Sequence, residues 1–364
     1  MDFKRYRFTT SADAEFTRTL RKRVDEYFKT HQIKRQGNSR MVTKSILILI
    51  AAFTPLIVML TGVITHMGLL FLLWLFMGLA MATIGTAVMH DANHGSYSKN
   101  KWLNKLAANT ILLLGASKKM WTIQHNVLHH TFTNIEHADE DIDVKGIMRF
   151  SPNQPLKKIH RYQHIYAWFL YSLGTIAWIT VKDFKSLFRY RNMGLLKSKK
   201  EFRDAFTEIV VCKLIYYSIM LVLPLIFIPA PWWAIILMFL SMHLILGFTI
   251  SVIFQTAHVV PNTKFTAEME NPVIEDSWHV HQLKTTANFA PKSKIVTALT
   301  GALNFQVEHH LFPNICHIHY PKIAPIVRQT AKEFNLPYHS NGSFLKAVIA
   351  HGKMLWQLGR PQTA

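Results

Sequence analysis

Two cysteines in 364 residues are too few for a disulfide framework, and Cys212 and Cys316 lie far apart with no CxxC pair between them. An iron–sulfur cluster is therefore not expected either. Neither a GxGxxG nor a P-loop pattern occurs, which argues against a built-in nucleotide site. Acidic residues are scarce: 21 Asp and Glu face 41 Lys and Arg, a formal net charge of +20. Charge of either sign is missing altogether from Ser45 to His90 and from Leu214 to Thr263. A spanning helix takes about 20 apolar residues, so each uncharged block has room for a hairpin of two. With 12 basic residues among the first 44, no cleavable secretory signal is visible.

These blocks predict an all-α integral membrane protein with four transmembrane helices in two hairpins. The expected spans are about 45–64, 69–89, 208–228 and 232–254, with turns near Thr65–Gly68 and Pro229–Pro231 and a kink at Pro55. The basic residues fall on a 44-residue N-terminal arm, a central segment and the C-terminal region. By the positive-inside rule these face the cytoplasm, with both termini. A helical cytoplasmic cap (90–207 and 255–313) would then complete a core at 45–313, followed by C-terminal helices at 314–364. The bilayer, a bacterial inner membrane by expectation, is the implied partner, and no nucleic acid is. In the arm, Thr10 to Asp13 resembles a capping box, followed by Phe16, Leu20, Val24 and Phe28 at helical spacing. That helix either lies on the membrane or docks against the cap. The stretch from His164 to Val181 is apolar enough to tempt a fifth span. Crossing there would put the basic stretch from Lys182 to Arg203 on the wrong side, so a re-entrant or interfacial segment is expected.

Histidine is the abundant chemistry, with 20 residues. Three clusters sit at span ends: His90-Asp-Ala-Asn-His94, His125-Asn-Val-Leu-His129-His130, and Gln306-Val-Glu-His309-His310. Imidazole is the commonest protein metal ligand, and a four-residue step on a helix puts two rings on one face. Two hairpins return the chain to the same side each time, so all three clusters converge, and His258 at the exit of the last span makes an eighth donor. Eight exceed what one tetrahedral zinc takes, which points to two metal ions. Ligand type alone does not choose among zinc, copper, iron and nickel. Asp91, Glu308 and Gln255 are the expected supports of the ligating rings or additional donors, with the acidic run Asp139, Glu140, Asp141 and Asp143 as further candidates. His243, inside the last span, reads as hydrogen-bonded packing, and Trp232-Trp233 as an interfacial belt. Substrate-binding residues are not readable.

HDANH, HNVLHH and QVEHHLFP resemble the three histidine boxes of the membrane fatty acid desaturase family, and the glutamine heading the third box resembles the front-end acyl desaturases. Thr131 to Asp143 and His281 to Phe289 are similar to segments of that group. The resemblance covers the chain from the first hairpin to Pro313. It implies a non-haem di-iron centre, two iron ions ligated by the box histidines and His258, that uses dioxygen as co-substrate, with Gln306 and His281 as supports of the ligands or additional donors. The implied substrate is a fatty acyl-CoA or acyl-lipid, which gains a cis double bond. The closest alternative is a di-iron hydroxylase of an alkane, sterol or carotenoid. A metal transporter or a structural zinc protein is the alternative of another class, disfavoured because transport needs ligands near the midplane. With no flavin or nicotinamide fingerprint and no His-Pro-Gly-Gly motif of a fused cytochrome b5, electrons are expected from a separate donor, ferredoxin or cytochrome b5 with its reductase.

Overall fold

The structure, a computed structural model, describes residues 6–9, 13–144 and 146–361. Four helices are long and apolar enough to cross a membrane: α2 (Ser39–Leu60), α3 (Met67–Asn93), α7 (Lys199–Phe227) and α8 (Trp232–His258), with α1 (Ala14–Thr30), α4 (118–132), α5 (Gln163–Ser172) and α6 (174–192) between or before them. After them come α9 (Trp278–Thr285), α10 (Lys294–Leu299), α11 (Gln306–Leu311), α12 (Tyr320–Glu333) and α13 (Phe344–Leu358). Only two small parallel pairings involve strands among the described residues. β1 (Arg7–Phe8) pairs with β2 (Val273–Ile274), and β3 (Ala287–Phe289) with β4 (His339–Asn341).

The spans begin and end where capping dictates rather than where charge stops. Asn38 accepts from the Met41 amide and starts α2 six residues before the expected Ser45, while Ser198 does the same for α7 through Glu201. At the other end of α2, Gly62 takes φ +74° and closes the helix at Leu60, earlier than residue 64. Pro55 lies within α2. His66 caps α3 by accepting from the Leu69 amide. The hairpins pack mainly through α3 against α8. Where they meet, a Cβ on Gly78 would come within 2.6 Å of the Met242 carbonyl oxygen, so only glycine permits that contact.

The segment expected to be re-entrant or interfacial is not among the helices long and apolar enough to cross a membrane. Gln163, at the start of α5, is tied to the cap through Arg149 and the Leu355 carbonyl. Thr175 then donates to the His243 carbonyl in the middle of α8 (2.9 Å), and Tyr190, near the end of α6, returns to bond Glu140 of the cap. His243 itself bonds Tyr216 (2.6 Å), which is the packing role expected of it. Trp232 and Trp233 are exposed at the start of α8. The arm's helix docks: Phe16, Leu20, Val24 and Phe28 are buried against Ile323 and Val327 of α12. Thr10, which would open its capping box, lies outside the described residues, and Asp13 makes no side-chain cap bond.

Candidate metal centre

Each histidine cluster is carried by a helix end, and the backbone there decides which rings meet. The last two turns of α3 contain a π-helical stretch, Ile84–Val88, just before His90. A second π-helical stretch, Ile123–His129, lies within α4. Its i to i+5 closure brings His130, five residues on, over His125, with the two Nε2 atoms 3.2 Å apart. A regular helix would have paired only His125 with His129, as the four-residue step suggests. Adjacent positions on α11 point apart, so His309 and His310 serve two different groups.

All eight candidate ligands come together. Nitrogens of His90, His94, His125 and His309 lie within 4.8 Å of one another, and those of His129, His258 and His310 form a second group. His130 borders His309 and His310 between them. The His90 and His125 Nε2 atoms are 3.0 Å apart. Two nitrogens on one ion at metal–nitrogen distances of about 2.0–2.1 Å are separated by roughly 3.0–3.4 Å, so this spacing suits shared coordination. Buried nitrogens are nearly always hydrogen-bonded, yet Nδ1 of His90 and His130, Nε2 of His94, His129, His309 and His310, and both nitrogens of His258 have no such partner. Burial, reinforced by the neighbouring imidazoles, pushes His94, His125, His130, His309 and His310 well below the ordinary imidazole range. The rings are therefore neutral, as ligation requires. The donor set fits divalent metal.

The second nitrogens are held from outside. Asp139, fully buried, accepts from His129 Nδ1 at 3.1 Å and is itself fixed by the Asn134 and Asp141 amides. Burial works against protonating His129, but the Asp139 carboxylate overrides it and raises the ring's affinity for a proton. Gln282 accepts from His310 Nδ1 at 2.8 Å, and the Tyr320 hydroxyl lies 3.3 Å from His309 Nδ1. Trp121 stacks on His125 with centroids 4.4 Å apart. Neither Gln282, Tyr320 nor Trp121 carries a sequence signal of its own, although Gln282 adjoins His281 in a segment that the resemblance had marked.

Three expected supports are placed elsewhere. Asp91 lies 3.9 Å from His90 Nδ1, too far for a hydrogen bond, and instead accepts from the His317 amide and Nδ1 at 3.0 and 2.9 Å. Glu308 bonds Asn288 and Tyr338 at 2.9 Å each, because its position on α11 turns it away from both neighbouring rings; burial pushes its carboxyl up to about 7. His281 donates to the Thr133 carbonyl at 2.8 Å, and burial pushes it down to about 4. Gln255 and Gln306, by contrast, are buried with Oε1 unpartnered and line a cavity of about 200 Å³ together with Thr86, Met89, His90, Trp121, Ile250 and Phe254. Gln124, Asp141 and Lys182 form its polar side.

Residues 65–342 match the family model described as fatty acid desaturase. The acyl-lipid (8-3)-desaturase of Physcomitrium patens is 36% identical over 96% of this chain and 73% of its own length. The sn-1 linoleoyl-lipid 6-desaturase of Arthrospira platensis is 34% identical over 96% of this chain and 94% of its own, and the one of Synechocystis 33% over 95% and 96%. The chain belongs to the fatty acid desaturase family and is a membrane oxidoreductase acting on fatty acyl chains.

Proposed function

We propose that this desaturase uses dioxygen and two electrons from a separate carrier to place a cis double bond in the acyl chain of a membrane lipid. The reading assigns His90, His94, His125, His129, His130, His258, His309 and His310 as ligands of two irons. The observation that carries it is the set of buried imidazole nitrogens without hydrogen-bond partners, gathered into two groups bridged by His130. The reaction balances as –CH2–CH2– plus O2, two electrons and two protons, giving –CH=CH– and two waters. Bound iron supplies the oxidant for an unactivated C–H bond, which no side chain in the cavity can attack.

The chain's own residues do the rest. Asp139 and Gln282 fix ring orientation, Trp121 and Phe254 cover the rings with apolar surface, and the cavity walls from α3, α6 and α8 hold two methylenes beside them. Gln255 and Gln306 face the same space and act as supports to the ligands. We assign both termini and the histidine cap to the cytoplasmic side of a bacterial inner membrane, as one functional domain with an N-terminal arm at 1–44, a core at 45–313 and C-terminal helices. An acidic carrier such as ferredoxin or cytochrome b5 would meet Lys118, Lys119 and the basic stretch from Lys182 to Arg203. Protein from iron-replete cells is expected to hold two irons per polypeptide, and host lipids to gain a double bond by gas chromatography–mass spectrometry. Active protein with a single zinc would overturn the metal assignment, and a hydroxylated product would overturn the reaction.

A further inference from the structure

A second cavity, of about 780 Å³, is lined by α2, α3, α8 and α10, whereas the reaction cavity is lined by α3, α4, α6 and α8. Its walls are Leu47 and Ala51 of α2, Leu79 and Thr83 of α3, Ile253 of α8 and Leu299 of α10. Arg40 and Lys44 stand at the end of this trough nearest the histidine cap, on the first turns of α2. Lys44 reaches His317 Nε2 at 3.0 Å from the trough wall, whereas Arg40 is exposed and forms no ion pair among the described residues. An apolar trough in a spanning bundle with two cations at its interfacial end has the polarity of an anionic glycerolipid. The neighbouring helix α10 supports that depth: none of its residues is buried, Ile295 and Leu299 are 73% and 60% exposed, and Lys292 and Lys294 flank them. A short helix with that pattern sits at a membrane surface, apolar side chains in lipid and ammonium groups among headgroups.

Ile253 borders both spaces. Among the described lining residues it is the one shared by the trough and the cavity that contains His90 and Gln306. We propose that the trough is the lateral entry site for the substrate: an anionic glycerolipid in the leaflet nearest the histidines, its headgroup held by Arg40 and Lys44. One acyl chain then passes Ile253 into the reaction cavity. This rests on the desaturase reading above and deepens it, because it gives the membrane lipid of that reading an entry route and an anionic headgroup.

The test uses the intact holoenzyme in nanodiscs of phosphatidylglycerol whose acyl chain carries a diazirine. Labelled peptides are expected from the trough, at Ala51 and Thr83, and beyond Ile253, at Thr86 and Ile250. Label spread evenly over the apolar belt would overturn the proposal. In cells, Ala80→Trp or Ala51→Trp fills the trough and should remove the unsaturated product while iron per polypeptide stays at the wild-type level. Leu72→Trp, on the outer half of α3, should leave product unchanged. Arg40→Glu should weaken lipid retention by roughly fivefold or more, from about 1 kcal/mol per surface cation. Full product from both tryptophan variants sinks the entry site alone. A wild-type protein that makes no double bond sinks the desaturase reading instead, while the labelling pattern still decides the trough.

Discussion

Two buried polar sites in this protein differ in one respect that separates structure from chemistry. At the junction of α6 and α7, the Lys213 ammonium donates to the Gly115 and Trp178 carbonyls and to Asp183, each at 2.7 Å. Asp183 also accepts from the Ser117 amide at 3.0 Å and from Trp178 Nε1 at 3.1 Å. Every donor has a partner, so the pair closes on itself and fixes α6 to α7. At the histidine cluster seven of the eight rings, all but His125, carry a buried nitrogen with no hydrogen-bond partner among the described residues. A self-satisfied cluster is a joint, and one with convergent unpaired donors is a binding site. Burial is alike in the two places, and whether the polar atoms find partners is what differs.

Substitutions should break the two sites in different ways. The largest effect is expected at the ligands: His310→Ala and His129→Ala should each remove unsaturated product and lower bound iron, read by gas chromatography–mass spectrometry and metal analysis. Their thermal midpoint in the metal-free form should barely change. Equal product from either variant would detach the reaction from the cluster. Next comes Lys213→Ala, which strands Asp183 as an unpaired buried carboxylate. Breaking such a pair costs about 3–5 kcal/mol, so the prediction is a much lower midpoint, with iron retained by whatever protein remains folded. Iron loss at an unchanged midpoint would make Lys213 part of the metal site. Smaller again is Asp139→Asn, which keeps the shape but removes the charge that orients His129. Losses of roughly 10–100-fold in metal affinity follow from comparable changes elsewhere, measured here by competition with a chelator.

The sequence carries the candidate ligands and the spans because both are composition: a metal site built of imidazoles shows as clustered histidines, and lipid excludes charge. His90, His94, His125, His129, His130, His258, His309 and His310 are therefore all readable before any fold is known. What holds them is less so. Asp139 was one of four acids in a run, and only the loop that folds its carboxylate under His129 singles it out. Asp91 and Glu308 sit beside ligands in the chain, but neighbours on a helix face different ways. Their partners, His317 and Tyr338, are 226 and 30 residues distant. The place of His130 depends on a π-helical stretch that no residue pattern announced. Span limits at Ser39 and Lys199 follow from the caps Asn38 and Ser198, which lie outside the apolar blocks. The docked N-terminal helix was one of two readings of the same apolar face, and only its partner, α12, separates them.

The smallest effect is expected at Gln306, which sharpens the comparison because it stands between the two classes. It is 2% exposed, opens the helix that carries His309 and His310, and turns Oε1 into the reaction cavity without a hydrogen-bond partner. An unsatisfied buried amide costs about 1–3 kcal/mol, so Gln306→Ala should leave the thermal midpoint unchanged or slightly raised, unlike any change at Lys213. An amide that supports the ligands without binding metal also predicts two irons per polypeptide in the variant, with product formation slowed and not abolished. Gln306→Glu sharpens the result, since a carboxylate at that position would bind metal directly and raise its retention against a chelator. If Gln306→Ala loses one iron of two, the glutamine is a ligand, and the unpaired oxygen belongs with the unpaired imidazoles. If neither iron nor product changes, that oxygen is a cost of shaping the cavity wall, and lack of a partner would no longer be enough to mark a functional group in this site.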